Sequence, residues 1–261
     1  MALKCFFDGG NQADSRLYDV VNLAAVSGSP TQWRVFDSEW KLLLKRHDAP
    51  YLHTTDVLTL NDPFTKENGW NHKKAELFLR DCAAVAEKCT IKPWVKRGII
   101  PHVATIVLAD FLRARTVNPK LPSDVNVLCA TQSVDHVVAQ GVQFGFTQFE
   151  LTFDQNEPFA GHIMHRQQNK KARRDLKAIL DRIISVGVAD TRQVMALQLA
   201  DLYAWCFSHK NEKKRKTWHN RILNQRKWVS DWYAYDAIVN TRPGVPELVA
   251  SWNLPPTKAT R

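Results

Sequence analysis

The chain has 261 residues, of which 44% are hydrophobic and 24% charged. That balance excludes an intrinsically disordered polymer, and the length suits one large domain or two small ones. Its 36 Lys and Arg outnumber 26 Asp and Glu, and the net charge of +10 favours anionic partners, nucleic acid among them.

Leu3 to Phe7 is a short apolar run that predicts a buried strand, ended by Asp8 and broken by Gly9-Gly10-Asn11. Asp19–Val26 and Gln32–Phe36 predict two more strands across the turn signal Gly28-Ser29-Pro30. Three sequential strands with short connections predict an antiparallel meander. Asp37 or Ser38 is a candidate N-cap for a helix over Glu39–Arg46, and Pro50 ends that segment. The stretch Tyr51-Leu52-His53-Thr54-Thr55-Asp56 reads as extended or loop. Beyond Asn61-Asp62-Pro63, the spacing of Ala75, Phe78, Leu79, Cys82, Val85 and Ala86 predicts a helix over Asn71–Lys88.

Gly98–Leu108 is rich in β-branched residues. Pro122 suits the first turn of a helix carrying Val125, Leu128, Cys129, Val137 and Val138. Phe149–Asp154 alternates with period two, which predicts a strand whose Glu150, Thr152 and Asp154 share one face. Ile183–Val188 predicts another strand, and Met195–Phe207 a strong helix. Two basic segments follow the Asp154 strand, Arg166–Lys177 and Lys210–Lys227. No Pro/Gly/Ser linker divides the chain. The expectation is an α/β class with a mixed central sheet flanked by helices: a main domain over 1–210, and a basic, Trp-containing extension over 211–261 packed on it.

Several classes lack support. No run approaches the ~18 apolar residues of a membrane span, and Asp8 interrupts the N-terminal run too early for a signal peptide. Five scattered cysteines form no Cys-x-x-Cys pair, so a reducing, cytoplasmic setting is expected rather than a disulfide framework or a structural zinc site. Neither a P-loop nor a glycine-rich dinucleotide motif is present.

Three carboxylates stand where water is scarce. Asp8 ends the first strand ahead of two glycines, and ligands in α/β sheets bind beyond the carboxyl ends of strands. Its plainer role is an Asx turn. Asp154 likewise ends a strand, with Glu157 three residues on, and a turn or helix cap is again the alternative. Asp201 lies in Ala196-Leu197-Gln198-Leu199-Ala200-Asp201-Leu202-Tyr203, a helix apolar nearly all round and hence buried. A carboxylate there needs a partner, either an arginine or a metal. Should the three converge, they would suit Mg²⁺ or Mn²⁺. Paired ions of that kind, about 3.5–4 Å apart, promote phosphodiester cleavage by activating water and stabilising the leaving oxygen.

The motifs Phe6-Phe7-Asp8-Gly9-Gly10, Leu52-His53-Thr54-Thr55-Asp56 and Leu197-Gln198-Leu199-Ala200-Asp201-Leu202 resemble those of a family. It is the ribonuclease-H-like proteins of bacteria and phages, catalogued only as a large domain of unknown function. Its members begin with a strand ending Asp-Glu-Ser-Gly and finish with a helix reading Gln-Leu-Ala-Asp. The resemblance covers roughly the first 210 residues. It implies a ribonuclease-H-like fold in which acids of the first strand, a later strand and a late helix hold catalytic metals. Asp8 and Asp201 match by motif, and Asp154 by its place at a strand end. The family's Glu is Gly9 here, so a fourth acid would have to come from Glu157 or Asp14.

His53 is a candidate proton shuttle or phosphate contact, against the commoner role of a structural hydrogen-bonding residue. His162 and His165 share a helical face without a third ligand nearby. Lys170, Lys171, Arg173 and Arg174 are candidate phosphate contacts, and Trp218 and Trp228 candidate stacking platforms for unpaired bases. The leading expectation is a metal-dependent nuclease, a hydrolase acting on RNA or DNA. Gly9 motivates an alternative, a non-catalytic nucleic-acid-binding protein of the same fold. A weaker reading is a protein-interaction module docking through its Trp-rich tail.

Overall fold

The computed structural model describes residues 2–10, 20–90, 98–155, 157–169, 177–210, 215–225 and 230–233. Along the chain run β1 (Ala2–Gly10), β2 (Val20–Gly28), α1 (Pro30–His47), α2 (Thr54–Thr59), α3 (His72–Cys89), β3 (Ile100–Val107) and α4 (Leu108–Val117). There follow α5 (Val125–Gln143), β4 (Gln148–Asp154), α6 (Phe159–Gln168), α7 (Lys177–Leu180), β5 (Ile183–Ala189), α8 (Met195–Ser208), α9 (Thr217–Leu223) and β6 (Ser230–Tyr233). The strands form one mixed sheet in the order β5-β4-β1-β2-β3-β6.

β2 is buried along its whole length, as expected of a central strand covered on both faces. It pairs antiparallel with β1 and β3, while β1, β4 and β5 run parallel to one another. Alternate residues of each strand feed two separate cores. On one face Ala24, Val26 and Val103 pack with α1, α3 and α8. On the other, Phe7, Leu23, Ile106 and Phe153 pack with α4, α5 and α6. The result is a three-layer α/β architecture, in agreement with the expected mixed sheet flanked by helices.

The predicted strand over Gln32–Phe36 is a correction: those residues lie in α1. Gly28-Ser29-Pro30 is not a hairpin turn but a helix start. Ser29 Oγ accepts from Gln32 N at 3.4 Å, and Gln32 Oε1 accepts from Ser29 N at 2.6 Å. This reciprocal capping, with proline in the first turn, contributes about 1 kcal/mol to helix formation. The apolar residues then follow helical spacing: Trp33, Phe36, Trp40 and Leu43 are all buried. The strand beside β2 is β3, which arrives after two further helices. A second correction is that the Tyr51–Asp56 stretch becomes helical from Thr54.

The described residues beyond 210, 215–225 and 230–233, join the same fold. Trp218, Ile222 and Leu223 of α9 belong to the core under α3 and α8, and β6 pairs parallel with β3. Among the described residues, no helix is long and apolar enough to cross a membrane.

Candidate acidic cleft

Strand direction places the site. β1, β4 and β5 are parallel neighbours, so their carboxyl ends share one edge of the sheet. Phe7 pairs with Phe153, which sets Asp8 beside Asp154, and Asp154 pairs with Ala189 at the end of β5. Asp8 and Asp154 therefore point to the same face, and that face carries α8. Asp201 of α8 comes down on them from above. Together with Glu157 they line a cleft of about 780 Å³.

Local hydrogen bonds hold each acid. Thr191, just beyond β5, donates its hydroxyl to Asp154 Oδ1 at 2.8 Å and reaches Asp8 Oδ2 at 3.4 Å, and its backbone N–H also bonds Asp154 Oδ1. Asp201 Oδ2 accepts twice from Thr54, from the backbone N–H at 2.7 Å and the hydroxyl at 2.6 Å. Glu157 Oε1 accepts from Gly9 N at 2.7 Å.

Gln198, one turn before Asp201, ties the two loops to α8. Its Oε1 accepts from Trp40 Nε1 at 2.8 Å and Leu52 N at 3.0 Å, and its Nε2 donates to the Thr191 carbonyl at 3.1 Å. Gly10 allows α8 this close to β1. A Cβ there would lie 2.3 Å from Ser208 Oγ and 2.6 Å from Asn22 Oδ1. Asn22 is occupied in holding α8, donating to the Ala204 carbonyl and to Ser208 Oγ.

The electrostatics are lopsided. The cleft is lined by six carboxylates (Asp8, Asp56, Asp154, Glu157, Asp190 and Asp201) and by a single guanidinium, Arg192, among the described residues. Burial, and then Glu157, Asp201 and Asp154 in turn, hold the Asp8 carboxyl well above the usual carboxylate range. Burial also raises Asp201, opposed by His53 and by the two Thr54 hydrogen bonds. No described Lys or Arg forms an ion pair with Asp8 or Asp201. His53 Nδ1 lies 2.8 Å from Asp56 Oδ2, and its Nε2 4.0 Å from Asp201 Oδ1. The His53 Nδ1 contact is not a well-aligned hydrogen bond.

Among the described residues, no group of three or more His, Cys, Asp or Glu side chains is arranged to hold a metal ion. The donor chemistry still suits a hard divalent cation, because oxygen donors of one sign crowd a partly dry cleft. As placed, the acids are turned toward Thr54, Thr191 and Gly9 rather than toward one shared point.

The sequence-predicted residues thus divide. Asp8, Asp154, Asp201, Glu157 and His53 are brought to one cleft. Asp14, Lys170, Lys171, Arg173, Arg174 and Trp228 lie outside the described residues. Trp218 is corrected as a stacking platform: it is 2% exposed and belongs to the core. Arg166, which opens the first basic segment, is not a phosphate contact either. It makes a bidentate pair with buried Asp135, both bonds 2.7 Å. Lys216 and Arg221 of the second segment pair with Glu76 and Glu87 of α3.

Sequence reasoning placed Thr54 and Asp56 in a motif without giving them a site role, and it missed Asp190, Thr191, Arg192, Trp205 and His209 as cleft residues. A polar Asp-Thr-Arg run straight after a strand was the available signal for three of them. No family model, curated protein or solved structure matches this chain.

Proposed function

We propose that the chain is a metal-dependent phosphodiesterase of ribonuclease-H-like design, acting on nucleic acid at the acidic cleft. The observation that carries this reading is the meeting of Asp8, Asp154, Asp201 and Glu157 from β1, β4, α8 and the loop after β4. Six carboxylates facing one guanidinium would repel a phosphodiester. A polyanionic substrate enters such a cleft only when divalent cations offset that charge.

Mg²⁺ or Mn²⁺ bound there would supply Lewis-acid stabilisation of phosphoryl oxygens and activation of water. Asp8, Asp154, Asp201 and Glu157 would hold it. Thr54 and Thr191 gather the carboxylates in one cleft, and binding a cation would require them to turn from these partners toward a shared point. His53, held between Asp56 and Asp201, is placed to take and return a proton at Nε2. Arg192, exposed at the rim, meets the flanking phosphate.

The test is cleavage of labelled RNA, DNA and hybrid strands in Mn²⁺, alongside Asp8→Asn and Asp201→Asn. Wild-type cleavage abolished by EDTA and by either substitution, with a melting temperature no lower than the parent's, supports the assignment. Parental rates in either variant refute it. Salt-sensitive binding indifferent to EDTA, without cleavage, would identify a non-catalytic nucleic-acid-binding protein instead.

A further inference from the structure

The cleft has two chemically different ends. One is acidic. The other is lined by Leu58, Trp205, Ser208 and His209. Trp205 and His209 follow Asp201 at four-residue intervals on α8, so the three share one helical face. Each step along that face is one turn, ~6 Å. The rings of Trp205 and His209 stack, with centroids 4.0 Å apart and planes within 12°. His209 Nδ1 is pinned to the Trp205 carbonyl at 2.9 Å, and Trp218 backs Trp205 at 5.4 Å.

Tryptophans that serve only the core look different here. Trp33, Trp40, Trp70 and Trp218 are each 5% exposed or less, whereas Trp205 is half-buried and opens on the cleft. A rigid, backed aromatic surface costs little conformational entropy on binding, and a nucleobase is the part of the substrate with a flat face to offer it. One helical turn from Asp201 is the reach between a phosphate and the base of its own nucleotide.

We propose that His209, stacked on Trp205 and held in place by it, offers its outer face as a subsite for an unpaired nucleobase, so that the strand must be single at the position cut. The inference rests on the phosphodiesterase reading and adds its substrate class. A paired base keeps its faces stacked within the duplex and cannot present one to this wall.

The test compares Mn²⁺-dependent cleavage of three labelled substrates: a single strand of about a dozen nucleotides, its full duplex, and the same strand carrying abasic positions. DNA and RNA versions run in parallel. The wild type is expected to cut the single strand at least tenfold faster than the duplex or the abasic strand. In His209→Ala and Trp205→Leu the advantage of the base-bearing strand over the abasic one shrinks about tenfold, the scale of one lost stacking contact. Trp205→Phe restores it, which a mere packing defect would not do.

Stacking ignores the sugar, so the ratio is expected to match in DNA and RNA. Equal wild-type rates on base-bearing and abasic strands overturn the subsite while leaving the phosphodiesterase reading intact. So does an unchanged ratio in both folded variants. Absence of cleavage on every substrate defeats the reading itself, and this inference with it.

Discussion

Gly9 donates its backbone N–H to Glu157 Oε1 over 2.7 Å, although 148 positions separate the two residues. The resembled motif has a glutamate directly after the strand-end aspartate, where this chain has Gly9. Here a carboxylate reaches the end of β1 from the loop after β4 instead.

Glu157→Gln tests whether this carboxylate contributes charge or only a hydrogen bond. The amide oxygen still accepts from Gly9, so the loop is expected to hold and the melting temperature to move little. Mn²⁺ affinity, followed by calorimetric titration, is expected to fall at least tenfold. A Gly9→Glu, Glu157→Ala double variant, which returns the acid to β1, is expected to recover part of it. Unchanged Mn²⁺ affinity in Glu157→Gln would remove Glu157 from the site.

Asp8 makes the resting fold sensitive to pH. Its carboxyl titrates above the usual range because burial and three neighbouring acids disfavour the charge. The folded state therefore holds a proton over a range where the unfolded chain, with a pKa of about 4, has lost it. Stability falls as pH rises through that range. In EDTA the wild type is expected to melt lower as pH rises through it. Asp8→Asn flattens this dependence and raises the neutral-pH melting temperature, by roughly 2–4 °C per kcal/mol for a chain of this size. A lower melting temperature for Asp8→Asn would contradict the electrostatic account.

Gln198 is buried and makes three hydrogen bonds, to α1, to the loop before α2 and to the loop after β5. Gln198→Leu keeps the volume and strips the bonds, leaving Trp40 Nε1, Leu52 N and the Thr191 carbonyl without this partner. At about 1–3 kcal/mol for an unsatisfied buried group, a loss near 3 kcal/mol is expected by urea denaturation. Activity is expected to drop as well, because Thr54 opens the helix that follows one of the loops released and Thr191 lies on the other. A destabilised variant with full activity would show that those loops are positioned by something else.

The Arg166–Asp135 pair separates structural from functional cation. Arg166→Met leaves a carboxylate that burial already pushes up and that Arg166, alone among the described residues, offsets. The expected cost is about 3–5 kcal/mol, and an Arg166→Met, Asp135→Leu double variant is expected to recover most of it. Neither change should alter the salt dependence of nucleic-acid binding. A shallower salt slope in Arg166→Met would return this residue to the substrate surface.

What the sequence determines by itself is local. Period-two alternation marks β4, helical spacing marks α3 and α5, and a nearly all-apolar run marks α8 as buried. Acids ending such strands, or standing inside such a helix, are conspicuous because an ionised group there needs a reason. Local pattern fails at Gln32–Phe36, where five residues suit either period and the Ser29–Gln32 cap decides for helix. Everything that turns separate acids into a site depends on long-range register. Parallel pairing sets Asp8 beside Asp154, Gln198 draws two distant loops to α8, and Glu157 comes back to the Gly9 N–H across 148 positions. The same holds for Trp205 and Trp218: both are tryptophans near one basic stretch, and only packing decides that one faces the cleft and the other the core. Burial belongs to the assembled layers, and no single segment carries it.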